Sequence, residues 1–140
     1  MPIVEDVMTR GVISIDETAS VEDAMRTMVE RHVSSIIVKK LNDADCYGII
    51  TRKDIITCII GKSGDCKILK VSDVMTKPVM TITKQMDVVA AAKLMEKTHV
   101  RRFPVEDNGN IVGIISNSDI FRAYVIDNII EKDRTKKKSK

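Results

Sequence analysis

The sequence predicts an α+β fold made of two βαββα repeats packed sheet to sheet about a pseudo-two-fold axis. Three observations predict it. The chain matches itself at an offset of 67 residues, and each half carries the same order of strand-like and helical patterns. Neither half is large enough to bury an adequate core alone, since small domains bury too little of their surface.

The duplication is dense. Val4-Glu-Asp-Val-Met-Thr9 recurs as Val71-Ser-Asp-Val-Met-Thr76, and the same offset pairs Val12 with Val79, Ile15 with Ile82, Val21 with Val88 and Met28 with Met95. It continues through His32-Val33 with His99-Val100. After a two-residue difference in loop length, Gly48-Ile49-Ile50 matches Gly113-Ile114-Ile115 and Asp54-Ile55 matches Asp119-Ile120. The repeats are expected at 1–60 and 71–130. A linker at 61–70 contains Gly61-Lys-Ser-Gly-Asp65, and a basic tail spans 131–140.

Each element has a local reason. Ser20 and Asp87 are N-cap residues, the first with Asp23 three positions on. The helix after Ser20 sets Val21, Ala24, Met25, Met28 and Val29 on one stripe; its counterpart uses Val88, Ala91, Ala92 and Met95. Two apolar runs follow in each half, Ile36 to Val38 and Tyr47 to Ile50, then Phe103 to Val105 and Ile111 to Ile115. Between the latter two, Glu106-Asp-Asn-Gly-Asn110 has the turn chemistry of a hairpin. A final helix closes each half, near Arg52 to Ile60 and Asn117 to Glu131. His32 and His99 fall at helix ends, where a histidine suits the terminal carbonyls.

Composition narrows the function classes. Apolar residues are 44% of the chain but aromatics only 3%, with no Trp, so the core is aliphatic and stacked aromatic platforms for nucleic acid are not available. The net charge of +3 is local. Residues 131–140 carry six basic and two acidic side chains, which leaves −1 for everything before them. Such a tail is expected to be solvated and disordered, and nucleic-acid binding through it is an alternative role. Cys46, Cys58 and Cys66 are odd in number and lack C-x-x-C spacing, so neither a disulfide framework nor a metal cluster is expected. No apolar run reaches membrane-spanning length and the N-terminus carries no signal pattern, so a cytoplasmic protein without membrane partners is expected.

Two segments carry the chemistry: Gly48-Ile-Ile-Thr-Arg-Lys-Asp54 and Gly113-Ile-Ile-Ser-Asn-Ser-Asp119. Each ends a strand and opens a helix. The glycine permits close approach of a ligand. Thr51 or Ser116 lies beside unpaired N–H groups suited to an anion, and the carboxylate three residues on can accept hydrogen bonds from a ribose diol. The other reading is a capping box, in which Asp54 or Asp119 reaches back to the N–H of the cap residue. Local sequence favours the box.

The D-V-M-T opening, the helix, the Arg102-Phe-Pro-Val-Glu-Asp107 strand and the G-h-h-[ST]-x-x-D ending, twice over from about Val4 to Ile130, resemble the CBS domain family. That resemblance implies clefts between the repeats that bind AMP, ADP, ATP or S-adenosylmethionine. It implies that Asp54 and Asp119 hold ribose and that Thr51 and Ser116 lie near phosphate. Arg101 and Arg102 fall where family members hold phosphate. Val79 and Met80 of an entering strand, with Phe103 and Pro104, would line the base pocket. The first half departs from the pattern, with Ser34 and Ser35 in place of the arginines.

The expected function is therefore that of a regulatory module that senses an adenosine nucleotide and adjusts a partner protein. The last helix carries Ile120, Phe121, Ala123, Tyr124, Val125, Ile126, Ile129 and Ile130 almost all the way round, which predicts a homodimer. An enzyme is not expected: there is no nucleophile–base pair, metal cluster or Walker loop. A purely structural dimerisation module with empty clefts is the competing reading.

Overall fold

The computed structural model describes residues 2–138. A short helix α1 (Val4–Val7) and strand β1 (Ser14–Ile15) precede helix α2 (Val21–Arg31) and strands β2 (Ser35–Val38) and β3 (Gly48–Thr51). Helix α3 (Arg52–Ile56) then runs into a π-helical turn at Thr57–Gly61. The second half repeats this order as α4 (Val71–Val74), β4 (Ile82–Thr83), α5 (Val88–Thr98), β5 (Arg102–Asp107), β6 (Asn110–Ser116) and α6 (Asn117–Val125). A second π turn at Ile126–Ile130 leads into α7 (Glu131–Lys138). The strands form two three-stranded sheets, β1-β2-β3 and β4-β5-β6, each with one parallel and one antiparallel pairing. This is the α+β arrangement of two like repeats that the sequence predicts.

Local chemistry accounts for the element ends. The Ser20 Oγ accepts from the Asp23 N–H at 3.0 Å and an Asp87 carboxylate oxygen from the Val89 N–H at 2.7 Å, so both long helices are capped. Both stop at a histidine in the left-handed region, His32 at φ 55° and His99 at φ 57°. The β5–β6 hairpin turns through Asn108 and Gly109, at φ 52° and 81°, the two positive values a type I′ turn requires. On α2 the buried stripe is Val21, Ala24 and Met28; Met25 and Val29, expected on it, lie at its edge and are exposed.

The compact units do not coincide with the sequence repeats. One unit, here called central, is Val12–Val79; the other, terminal, joins Met1–Gly11 to Met80–Lys140. Each repeat's opening segment thus packs on the other repeat's sheet. In the central unit Val71 of α4 is buried with Val21, Ile36, Val38 and Ile50. In the terminal unit Val4 of α1 is buried with Ile82, Phe103, Val105 and Ile115. The backbone bonds obey the 67-residue offset. Val71 N–H donates to the Ala19 carbonyl and Ser72 N–H to Glu17, while Val4 N–H donates to Met86 and Glu5 N–H to Lys84.

Glycine makes the docking possible. Thr9 exchanges two backbone hydrogen bonds with Ile114 of β6, and Thr76 exchanges two with Ile49 of β3. A Cβ at Gly113 would stand 2.6 Å from Met8 Sδ and 2.9 Å from the Thr9 carbonyl oxygen; one at Gly48 would stand 3.1 Å from the Thr76 carbonyl oxygen. The sequence reading assigned these glycines to a ligand; what approaches them is the opening segment. Ion pairs reinforce the docking. Lys77, just beyond α4, lies 2.7 Å from Asp45 and 3.3 Å from Glu17, and Lys84 lies 3.1 Å from Asp107 and 3.5 Å from Glu5 of α1.

Of the segment expected to be a disordered tail, Glu131–Lys138 is helical, and residues 139–140 lie outside the described residues. The helix is already nucleated upstream, and Glu, Lys and Arg extend it at low cost. No helix among the described residues is long and apolar enough to cross a membrane.

Candidate functional site

The candidate site of the terminal unit grows from the junction of β6 and α6. Ser116 ends the strand with extended backbone and caps the helix, its Oγ accepting from the Asp119 N–H at 3.2 Å. Asp119 reciprocates, one carboxylate oxygen accepting from the Ser116 N–H at 2.9 Å. The capping box favoured by local sequence is present. It does not use up the carboxylate, whose two oxygens can accept about four hydrogen bonds.

Two residues that sequence reasoning did not single out complete the surroundings of Asp119. Thr9 donates its hydroxyl to Oδ1 at 3.2 Å, and Arg122 Nη1 lies 3.6 Å from the same oxygen. The residue is only 7% exposed, and among the described residues the partners of its carboxylate are all donors, the Ser116 N–H, the Thr9 hydroxyl and the Arg122 guanidinium. Signals for both were present: Thr9 ends the duplicated V-x-D-V-M-T segment, and Arg122 stands three residues beyond Asp119 on the same helical face.

The arginines enter from β5. Arg102 is the register partner of Ser116, and the Arg101 carbonyl accepts from the Asn117 N–H at 2.9 Å. Both are thereby fixed at the end of the sheet where the capping box lies. Arg101 is exposed and Arg102 half-buried. Phe103 and Pro104 follow and are wholly buried, Phe103 within the apolar core of its unit. Met80, at the start of this unit's second segment, is 50% exposed. The entering strand is Ile82–Thr83 rather than Val79 and Met80, and Val79 belongs to the central unit, where its N–H donates to the Tyr47 carbonyl. The strand starts later because only Ile82 and Thr83 pair with β5, at Val105 and Glu106.

The central unit has the same scaffold with different chemistry. Thr51 caps α3, its Oγ1 accepting from the Asp54 N–H at 3.1 Å while Asp54 accepts from the Thr51 N–H at 3.0 Å. Ser35 is the register partner of Thr51, and the Ser34 carbonyl accepts from the Arg52 N–H. Where the terminal unit has Arg101, Arg102 and Arg122, the central unit has Ser34, Ser35 and Thr57. Asp54 is less buried than Asp119, and among the described residues the Thr76 hydroxyl makes no bond to it. The cysteines are free and no group of metal-ligating side chains occurs among the described residues.

Comparison with known proteins bears on this arrangement. The chain is 33% identical to an uncharacterized protein of Methanopyrus kandleri over 92% of its own length and 67% of the relative's. It is 37% identical to a homoserine O-acetyltransferase of Methanococcoides burtonii, but spans only 23% of that enzyme. The hexameric CBS-CP12 protein of bloom-forming cyanobacteria superposes with a TM-score of 0.84 at 32% identity, covering 92% of this chain and 75% of that one. CBSX2, solved in complex with AMP, superposes with a TM-score of 0.73 at 26% identity over 90% of this chain and 98% of that one. The CBS domain model matches residues 4–61 and again 71–126, so the chain belongs to the CBS domain family and carries two copies of the domain.

Proposed function

We propose that this protein is a regulatory module, not a catalyst, that binds an adenosine nucleotide of the AMP, ADP or ATP class and adjusts a partner protein. The observation that carries the reading is Asp119. A nearly buried carboxylate, fixed at the third position of a capped helix, lies on a scaffold whose neighbouring register position is Arg102. In this reading Asp119 accepts the ribose hydroxyls, Ser116 lies near phosphate, and Arg101 and Arg102 supply the charge for it. Phe103 and Pro104 shape the wall behind them and Met80 contributes apolar surface. The central unit offers the same with Thr51 and Asp54 and without the arginines, so its affinity is lower. Support comes from the family and from CBSX2, whose structure holds AMP. S-adenosylmethionine is the alternative ligand.

The module acts as a homodimer in this reading. Phe121 is 71% exposed and Tyr124 55%, and Ile126, Ile129 and Ile130 are exposed beside them. With Val125 and Arg122, three of these side chains line an apolar hollow of about 860 Å³. Contiguous exposed apolar surface of this kind marks an interaction site, and the all-round apolar pattern of this helix suits a second copy. The test of function is thermal denaturation against AMP, ADP, ATP and S-adenosylmethionine. Ligand at about 100 times Kd adds about 2.7 kcal/mol to a native state that binds it. An unchanged melting temperature with all four at millimolar concentration would leave the structural dimerisation reading in its place.

A further inference from the structure

Arg122 belongs to two places at once. On α6 it stands three residues beyond Asp119, so the two side chains are neighbours on one helical face. Its Nη1 lies 3.6 Å from Asp119 Oδ1, an ion pair rather than a formed hydrogen bond. The same side chain lines the apolar hollow with Phe121, Val125, Ile126 and Ile130. The arginine is 68% exposed and the aspartate 7%, so only one end of the pair is held in place. Asp119 Oδ2 accepts from the Ser116 N–H, and Oδ1 also accepts from the Thr9 hydroxyl. The central unit has no such link, since Ile56 and Thr57 stand where Phe121 and Arg122 do.

We propose that Arg122 sets nucleoside binding and self-association against each other, so that each weakens the other. The inference rests on the reading that Asp119 holds ribose and that a second copy covers the hollow. A second copy closing over the hollow takes Arg122 out of water, and a buried charge is tolerated only when it is paired. Among the described residues its carboxylate partner is Asp119. A ribose diol brings two hydroxyl donors to that same carboxylate, which has about four acceptor sites. The Ser116 N–H is fixed in the capping box and Thr9 is docked on β6, so the long, exposed pair to Arg122 is the contact that yields. With the ribose bound, Arg122 stands at the interface without its counter-ion; with the site empty, Asp119 neutralises it. Linkage is reciprocal, so the dimer binds nucleoside more weakly by the same factor.

Adenosine is the probe, because it carries ribose and no phosphate that could itself pair with Arg122. Light scattering over a dilution series of the full chain gives the dimer dissociation constant with and without saturating adenosine. Calorimetry gives the adenosine affinity at protein concentrations below and above that constant. In wild type, adenosine should raise the dimer constant at least about 5-fold, and adenosine affinity should fall by the same factor from dilute to concentrated protein. Arg122→Gln, which removes the charge, should still bind adenosine and should show the same dimer constant with and without it. Adenosine that binds wild type but leaves its dimer constant unchanged overturns the coupling alone. So does an Arg122→Gln protein that keeps the wild-type shift or no longer binds adenosine. Wild type that does not bind adenosine overturns the ribose reading, wild type that stays monomeric overturns the dimer reading, and the coupling falls with either.

Discussion

The Thr9 hydroxyl donates to Asp119 at 3.2 Å, joining residues 110 positions apart. The bond ties the first repeat's opening segment to the carboxylate proposed to hold ribose, and among the described residues Thr76 makes no such bond to Asp54. Thr9→Val keeps the shape and removes the donor. It should cost about 1–2 kcal/mol, since the acceptor is a charged, mostly buried group. Thr76→Val should stay within about 0.5 kcal/mol of wild type. Urea unfolding of the two variants is the check; equal losses would mean that the Thr9 bond adds nothing to stability.

The exchanged packing makes a second prediction. Gly113→Ala pushes a methyl group against Met8 and the Thr9 carbonyl oxygen, whereas Gly48→Ala meets looser contacts. Overpacking of this kind costs about 1–3 kcal/mol. Thermal melting should rank wild type above Gly48→Ala above Gly113→Ala. A Gly113→Ala protein as stable as wild type would show that Thr9 does not dock against β6 as described.

The ion-pair cluster at Lys77 predicts an acid response. Its ammonium group, with the N–H groups of Leu41 and Cys46, holds the Asp45 carboxyl at about 2, well below its ordinary 3.8. A depressed folded-state value stabilises above the unfolded value and loses that contribution as pH falls through the window between the two. Hydrogen bonding to Asp45 and Glu17 raises Lys77 above its ordinary value, so that part persists until strongly alkaline pH. Between about pH 5 and pH 2 the melting temperature of wild type should fall more steeply than that of Lys77→Met. Parallel curves would remove Lys77 from the account.

The exposed face of α6 predicts self-association. Phe121→Asp places a charge in the middle of the apolar hollow and exposes no core residue. Light scattering at micromolar concentration should give a dimer mass for wild type and a monomer mass for the variant. A wild-type monomer would dispose of the homodimer reading.

Much of this was legible in the sequence because it is local. The caps at Ser20 and Asp87, the Asn108-Gly109 turn and the Thr51–Asp54 and Ser116–Asp119 boxes each follow from residues within a few positions of one another. The exchange of opening segments was not. A 67-residue repeat looks the same whether Val4 packs on its own repeat or on the other, because both sheets offer equivalent apolar faces. Thr9 was hidden as a partner of Asp119 for the same reason, since it reaches the carboxylate only through the exchange. Helix α7 was not legible because a charged composition describes solvation, not whether an upstream helix propagates.

The central claim is that the terminal unit holds an adenosine nucleotide through Asp119 and the arginines at the start of β5. Calorimetric titration of AMP and adenosine into wild type, Arg102→Ala, Asp119→Ala and Asp54→Ala tests it directly. Arg102→Ala should weaken AMP by about 10- to 100-fold while sparing adenosine, because only a charged phosphate contact is lost. Asp119→Ala should weaken both ligands, and Asp54→Ala should leave the tighter site nearly intact. Equal losses for Asp54→Ala and Asp119→Ala, or AMP binding that is indifferent to Asp119, would contradict the account.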